Sequence, residues 1–407
     1  MQTYSSAEVR SHNASLIIQL LWREKSLSRA ELSRQTGLSR STVSAICEEL
    51  AERELTRDLG TGPSNGGKPP QMIGFREDAY ALIGIDLGAS HTTALVADLR
   101  GQVLASHSLP SDSRDQPYQA IEKANACLAE CMEQVGFDWR RVVGVGVGVP
   151  CPVNPEEPLK LSSRVLPKWQ DVDYLDLLAI PTGVPVFVDN DANLGGLAEL
   201  WWGSGEEPRS LVFIKASVGV GAGLVIGGEV YRGANAWAGE LGHIVIDPSG
   251  PRCDCGRVGC LVAFIGQRGL LAQYSAAAPE HEPQPATTHD LIALAEGGSE
   301  PARDVLHKAG EYLGAAVTNM LHVLNPNHVI VGGALALAGE HLLRGVREAL
   351  VDQARWTSEL DYEVRTSALG ESATALGAAT QPLSVALRQP ELFTVRESLP
   401  VASRGKS

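Results

Sequence analysis

Nowhere in its 407 residues does the chain carry about eighteen uninterrupted apolar residues, which excludes a membrane-spanning helix. It opens on polar MQTYSSAEVR and lacks the apolar stretch of a secretory leader, so a cytoplasmic location is expected. Its seven cysteines show no disulfide framework: three crowd one short segment, while Cys47, Cys127, Cys131 and Cys151 are scattered as buried thiols would be. Positive charge is short as well. The formal net charge is −14, and residues 1–80 hold ten Lys or Arg against ten Asp or Glu, leaving 24 against 38 for the remainder. An acidic body repels nucleic acid, so any DNA contact must come from the neutral N-terminal segment. With 44% hydrophobic residues the chain can fill two or three cores, and several domains are expected.

What is present begins with HIVIDPSGPRCDCGRVGC, in which His243, Cys253, Cys255 and Cys260 fall within eighteen residues at spacings a tetrahedral zinc can use. Three thiols and one imidazole leave no position open for water, so the expected role is structural zinc. Three cysteines that merely share a surface turn are the alternative. Gly256 and Gly259 favour the metal, because a chelating knuckle needs turns of positive φ.

The first eighty residues read as three helices and a hairpin. Leu16, Ile17, Leu20 and Leu21 give a helix over Ala14 to Trp22; Ser28 caps RAELSRQTG, which Gly37 ends; Ser39 caps RSTVSAICEELAER with Val43, Ile46 and Leu50 on one face. That is a helix-turn-helix, and LTRD and QMIGF flank LGTGPSNGGKPP as the strands of a β-wing. An ordinary three-helix bundle is the alternative, which the wing disfavours. Arg34, Ser39, Arg40, Ser41, Thr42, Ser44 and Lys68 are the candidate contacts to operator DNA, being short donors and cations near the start of the third helix, beside it, or in the wing.

Residues 80–105, YALIGIDLGASHTTALVADLRGQVLA, read as strand, turn, strand, tight turn, strand, and residues 211–231 repeat that order. Two α/β lobes facing across a cleft follow, with a lobe change near 190–211. Their hairpin turns place Asp86, Gly88 and Ser90 opposite Gly219, Gly221 and Gly223, which can surround a phosphate with backbone N–H groups; hairpins need glycine anyway, so this signal is weak by itself.

Over residues 80–380 the chain resembles the ROK family of repressors and sugar kinases, through IGIDLGAS, GVGVPCPV, VDNDAN, GVGAG, AGELGH, CDCGRVGC and VGGAL. The resemblance implies an α/β fold: an N-terminal winged helix-turn-helix (1–79), a two-lobed actin-like, ribonuclease-H-like ROK body with a zinc knuckle (80–385), and a flexible tail (386–407). A winged helix ahead of such a body resembles the regulator branch, implying a homodimer or dimer of dimers on a pseudo-palindromic operator, with a sugar or sugar phosphate as effector. The resemblance also implies that Asn190, Asp191, Glu240 and His243 contact the sugar, with Asp191 the base if kinase activity is retained, whereas capping of the helix ANLGGLAEL is the plainer reading of Asn190-Asp191. Glu240 and His243, three apart, share a face if helical.

Departures from the kinase pattern matter. Ala89, His91, Ser217 and Val218 stand where such kinases have glycine, lysine, glycine and threonine, which weakens phosphate binding and makes ATP and magnesium doubtful cofactors. Val262 and Val165 replace a glutamate and an asparagine. The expectation is a former kinase body used for sensing; the alternatives are an ATP-dependent sugar kinase with a DNA reader and a DNA-binding protein whose body only dimerises. Coupling between the two parts is expected through residues 60–70 and 76–80.

Overall fold

A computed structural model describes residues 5–63, 69–154, 156–158, 160–203, 210–353 and 362–397. Helix α1 (Ser6–Glu24) starts eight residues earlier than its apolar periodicity indicates. The reason is a capping box: Ser5 accepts from the Glu8 N–H at 3.2 Å, and Glu8 accepts from the Ser5 N–H at 2.6 Å. Strand β1 (Ser26–Ser28) leads into α2 (Arg29–Thr36), which Ser28 caps and Gly37, at φ 72°, ends. Helix α3 (Arg40–Glu52) is capped by Ser39. Strands β2 (Thr56–Thr61) and β3 (Gln71–Phe75) form the antiparallel wing, and β1 adds a third strand to it that the sequence reading did not include. Lys68 lies outside the described residues.

The body begins with β4 (Ala81–Leu87), β5 (His91–Ala97), β6 (Val103–Pro110), α4 (Pro117–Val135), β7 (Val142–Val149), the short α5 (Tyr174–Leu177) and β8 (Val186–Asn190). Helix α6 (Asp191–Trp202) crosses to β9 (Ser210–Ala216), β10 (Val220–Ile226) and β11 (Glu229–Tyr231). Then come α7 (Leu261–Ile265), α8 (Gln267–Ala277), α9 (Thr288–Glu296), α10 (Glu300–Leu324), β12 (His328–Gly332), α11 (Glu340–Gln353), β13 (Glu363–Thr366) and α12 (Ala373–Ala386). The two five-stranded sheets have the same plan, β6-β5-β4-β7-β8 and β11-β10-β9-β12-β13. In each, two antiparallel hairpins are followed by two parallel pairings, so the repeat read from the sequence is a repeat of topology. No described helix is long and apolar enough to cross a membrane.

Helices α6 and α12 pack on each other, α6 also on β9 and β10 and α12 on β4 and β7. Close approach is possible because the sequence puts small residues at the crossings. A Cβ on Gly84 or Gly146 would lie 1.9 Å from the carbonyl oxygen of Ala375 or Ala378, and one on Gly377 1.8 Å from that of Leu194. Thus α12, last in the chain, completes the first lobe.

No soft linker separates the winged helix from the body. Ile17, Ile18 and Leu21 of α1 are fully buried in one apolar cluster with Leu82 and Leu95 of the first sheet and Ala379 and Leu383 of α12. Burial of each such side chain stabilises by about 1.5 to 3 kcal/mol. Ser15 Oγ donates to the Leu387 carbonyl at 3.0 Å, and Tyr80 Oη donates to that of Arg53 at 2.9 Å. The tail from 386 was expected to be flexible, and as far as residue 397 the structure corrects this. Phe393 is fully buried with its ring 5.7 Å from that of Tyr80, and Arg396 donates to the carbonyls of Val142 (2.5 Å) and Gly183 (3.1 Å). A single phenylalanine in a polar segment carries no periodicity, so its anchoring is invisible before folding.

Substituting Gly146→Ala is expected to cost about 1 to 3 kcal/mol by forcing α12 off β7. A thermal unfolding midpoint should fall accordingly, whereas Tyr118→Ala, on the exposed side of α4, should leave it unchanged.

Candidate ligand site and nucleic-acid interface

Between the lobes lies a cavity of about 170 Å³ walled by the ends of β7, β9 and β10, the start of α6, and the segment from Glu240 to Val262. Asn190, Asp191, Glu240 and His243 all reach it. Asn190 is the cap of α6, accepting from the N–H of Ala192 (2.9 Å) and Asn193 (3.2 Å) and donating to the Cys151 carbonyl at 3.2 Å. Asp191 is therefore not the cap but the first helical residue. Glu240 precedes and His243 ends a single 3-10 turn, Leu241–His243, so the two do not share a longer helical face. Burial raises the Glu240 carboxyl above the ordinary glutamate range, with Asp191 adding and His243 opposing.

The residue the sequence reading missed is Lys215 on β9. Its Nζ lies 2.9 Å from Asp191 Oδ2 and 3.4 Å from Asp86 Oδ2, joining a strand end of the first lobe to the start of α6 from the second. Lys215 is 12% exposed and Asp86 1%. Burial works against the ammonium charge, but Asp191 and then Asp86 more than offset it and hold Lys215 above the ordinary lysine range. Burial likewise pushes Asp86 up, yet Lys215 and His91 pull it net below the ordinary aspartate range. His91 Nε2 stands 3.4 Å from Asp86 Oδ2. A lone lysine in the run LVFIKAS was the available signal, since a charge inside a central strand needs a buried partner.

Of the six proposed phosphate-hairpin residues, Ser90, Gly219 and Gly221 line the cavity, and Asp86 reaches it through Lys215. Gly88 and Gly223 do not line it. Gly223 lies under α6, where a Cβ would sit 2.1 Å from the Ala192 carbonyl oxygen, and a Cβ on Gly88 would meet the His91 carbonyl oxygen at 2.9 Å, so both serve packing. Val165 and Val262 are at the wall, along with Arg114.

Beside the cavity His243, Cys253, Cys255 and Cys260 place one ligand atom each within 4.8 Å of the others. Cys253 Sγ lies 3.6 Å from His243 Nδ1, and Cys255 Sγ lies 3.6 Å from Cys260 Sγ. Sulfurs on a tetrahedron of about 2.3 Å radius are about 3.7 Å apart, so the donor set fits a metal of that size. The Arg257 backbone N–H holds the Cys255 thiol down to about 6, while burial pushes Cys260 up to about 12. Gly256 (φ 91°) and Gly259 (φ 77°) make the turns, and a Cβ on Gly259 would overlap the Asp247 carbonyl oxygen at 1.6 Å.

On the winged helix, Arg40 and Ser41 are exposed at the start of α3, and Thr42 and Ser44 are half-buried. Ser39 Oγ accepts from the Thr42 N–H at 3.1 Å and lies 2.8 Å from Thr42 Oγ1, so these two side chains are engaged in the cap. Arg34 is exposed but bound to Glu31. At the opposite end of α6, Trp201 and Trp202 stand 5.2 and 6.1 Å from Trp22 of α1, ring centre to ring centre. Trp22 Nε1 donates to the Leu99 carbonyl at 2.8 Å, and Trp202 Nε1 to Thr380 Oγ1 at 2.6 Å. Helix α6 thus begins at the cavity and ends against the winged helix.

A winged helix fused to a duplicated two-lobed body with an interlobe cavity defines the class of protein. The ROK family profile matches residues 82–382, a winged helix-turn-helix DNA-binding profile matches residues 10–55, and the chain belongs to the ROK family. It is 28% identical over 369 residues to the xylose repressor of Bacillus subtilis, covering 91% of this chain and 94% of that one. The Thermotoga maritima glucokinase is 31% identical over 309 residues, covering 74% of this chain and 96% of the kinase. A crystal structure of a ROK family transcriptional regulator, homologous to the Escherichia coli Mlc protein, superimposes with a TM-score of 0.75 at 26% identity over 95% of this chain and 98% of that one.

Replacing Lys215 by Ala leaves the buried Asp86 and the half-buried Asp191 without their cation and is expected to cost about 3 to 5 kcal/mol near neutral pH. Wild-type Asp86 is depressed, so its contribution is present above the ordinary aspartate range and lost as pH falls through its folded value. In the variant the unpaired acids take up protons more readily, so denaturation at pH 8 and pH 5 should show the gap to wild type shrinking at the lower pH.

Proposed function

We propose that the chain is a sugar-responsive transcriptional regulator, a repressor of carbohydrate uptake or metabolism genes, acting in the cytoplasm as a homodimer on a pseudo-palindromic operator. The observation that carries this reading is α6: its first turn supplies Asn190 and Asp191 to the cavity, and its last turn packs Trp201 and Trp202 on Trp22 of the DNA reader. A ligand that prefers one position of α6 therefore shifts the winged helix, and operator DNA must change ligand affinity by the same factor. Arg40, Ser41 and Ser44 present the donors for DNA, with Lys68 and Arg34 as phosphate contacts. Asn190, Asp191, Glu240 and His243 are the sugar contacts. Sugar is the chemistry common to the names of the B. subtilis repressor and the T. maritima kinase.

Turnover is not part of this reading. A base must be free to take a hydroxyl proton, and Asp191 is held by Lys215. A magnesium ion at Asp86 would have to displace the same ammonium, so the residues present do not fit Mg–ATP. Zinc is the metal the knuckle suits, with three thiolates and His243 as ligands, and its role is to fix the loop that carries Glu240 and His243.

Fluorescence anisotropy on the chain's own upstream DNA, titrated with monosaccharides and their phosphates, tests the function. One sugar should change the affinity, Trp22→Ala should keep DNA binding but lose that response, and Arg40→Ala should weaken binding by about 1 to 3 kcal/mol with any sugar. Tight DNA binding indifferent to every sugar, or ATP-dependent phosphorylation of one, would sink the reading. Elemental analysis should find one zinc per chain, absent in Cys253→Ser.

A further inference from the structure

A second cavity, of about 720 Å³, adjoins the first and shares Pro152 with it. The two are also joined along the chain: Val165 walls the inner one and Arg164 the outer, and Glu240 walls the inner one while Trp237 walls the outer. We propose that this outer cavity is a carbohydrate subsite for a second pyranose ring, so that the effector is a neutral disaccharide or longer oligosaccharide whose terminal ring fills the inner cavity. The proposal rests on the reading of the inner cavity as a sugar site.

Size sets the first argument. The inner cavity falls below the roughly 300 to 1,000 Å³ usual for small-molecule sites, and the outer one falls within it. Chemistry sets the second. Trp237 is 49% exposed and is the only exposed tryptophan among the described residues. An indole left in water at the rim of a ligand cavity offers a flat apolar face, which suits the C–H face of a sugar ring. Lining the same cavity are Asn154, Lys160, Ser162, Arg164, Gln170 and Asn235, an amide, hydroxyl and cationic donor set matched to ring hydroxyls rather than to an apolar partner.

The loop is also built to hold the indole outward. Ala236 takes φ 59°, a left-handed conformation uncommon for a residue with a Cβ, and its own side chain is buried while its neighbour Trp237 is not. The Ala238 N–H donates to the Arg232 carbonyl at 3.1 Å, and Arg232 is anchored to the buried Asp189, so the loop closes on a fixed base. A preorganised platform of this kind binds without the cost of ordering it.

Calorimetric titration of the full-length protein with xylose, glucose and N-acetylglucosamine, and with xylobiose, cellobiose, maltose and chitobiose, tests the subsite. One disaccharide should bind at least about tenfold tighter than its monomer. Trp237→Ala should remove that gain and leave monomer affinity unchanged, and Trp237→Phe should restore most of it. If a monomer binds and no disaccharide binds tighter, or if Trp237→Ala weakens both alike, the outer subsite is refuted while the sugar-sensor reading stands. If no monomer and no disaccharide binds, both fall together.

Discussion

Two carboxylates at strand ends of the first sheet, Asp86 and Asp191, are met by one ammonium from the second sheet, Lys215, and the rest of the body is arranged so that this can happen. Without Lys215 the two acids would be left facing each other's charge in a site largely shielded from water, where such repulsion is least screened. The lysine turns that repulsion into a tie between β4, β9 and the start of α6. In a phosphotransfer site the same positions are where cationic charge must arrive from outside with the nucleotide. Here a cation is covalently part of the chain and stands between the two acids before any ligand enters.

The second constraint is contact distance. Helices α6 and α12 lie between the sheets at separations only glycine permits, at Gly84, Gly146, Gly223 and Gly377. Close packing of this kind moves as a block, because any slip would drive Cβ atoms or carbonyls into each other. The tryptophans at the far end of α6 are thus held at a fixed distance from Asn190 and Asp191, some twelve residues away along a single helix.

Much of this was legible beforehand because local chemistry left marks in the sequence. Ser28, Gly37 and Ser39 punctuate the helix-turn-helix, the repeated hairpins mark the two lobes, and the spacing of His243, Cys253, Cys255 and Cys260 marks the knuckle. What escaped notice depends on partners far apart in sequence. Lys215 acquires meaning only when Asp86, 129 positions away, is brought beside it. Trp22 and Trp201 look like two ordinary apolar residues until α6 points one at the other. Gly223 looked like part of a phosphate turn because glycine in a hairpin and glycine under a helix are written identically.

The shared core has a bearing on how the molecule comes into being. The winged helix leaves the ribosome ahead of the body, at roughly 5 to 20 residues per second, and in most multidomain proteins an earlier domain folds as a unit. Here its α1 is buried against Leu383 and Phe393, close to the last described residues. The DNA reader thus reaches its finished packing only after α12 and Phe393 have been made, and a chain interrupted before them lacks the apolar surface on which α1 rests. Completion of the sensor is built into competence to bind DNA.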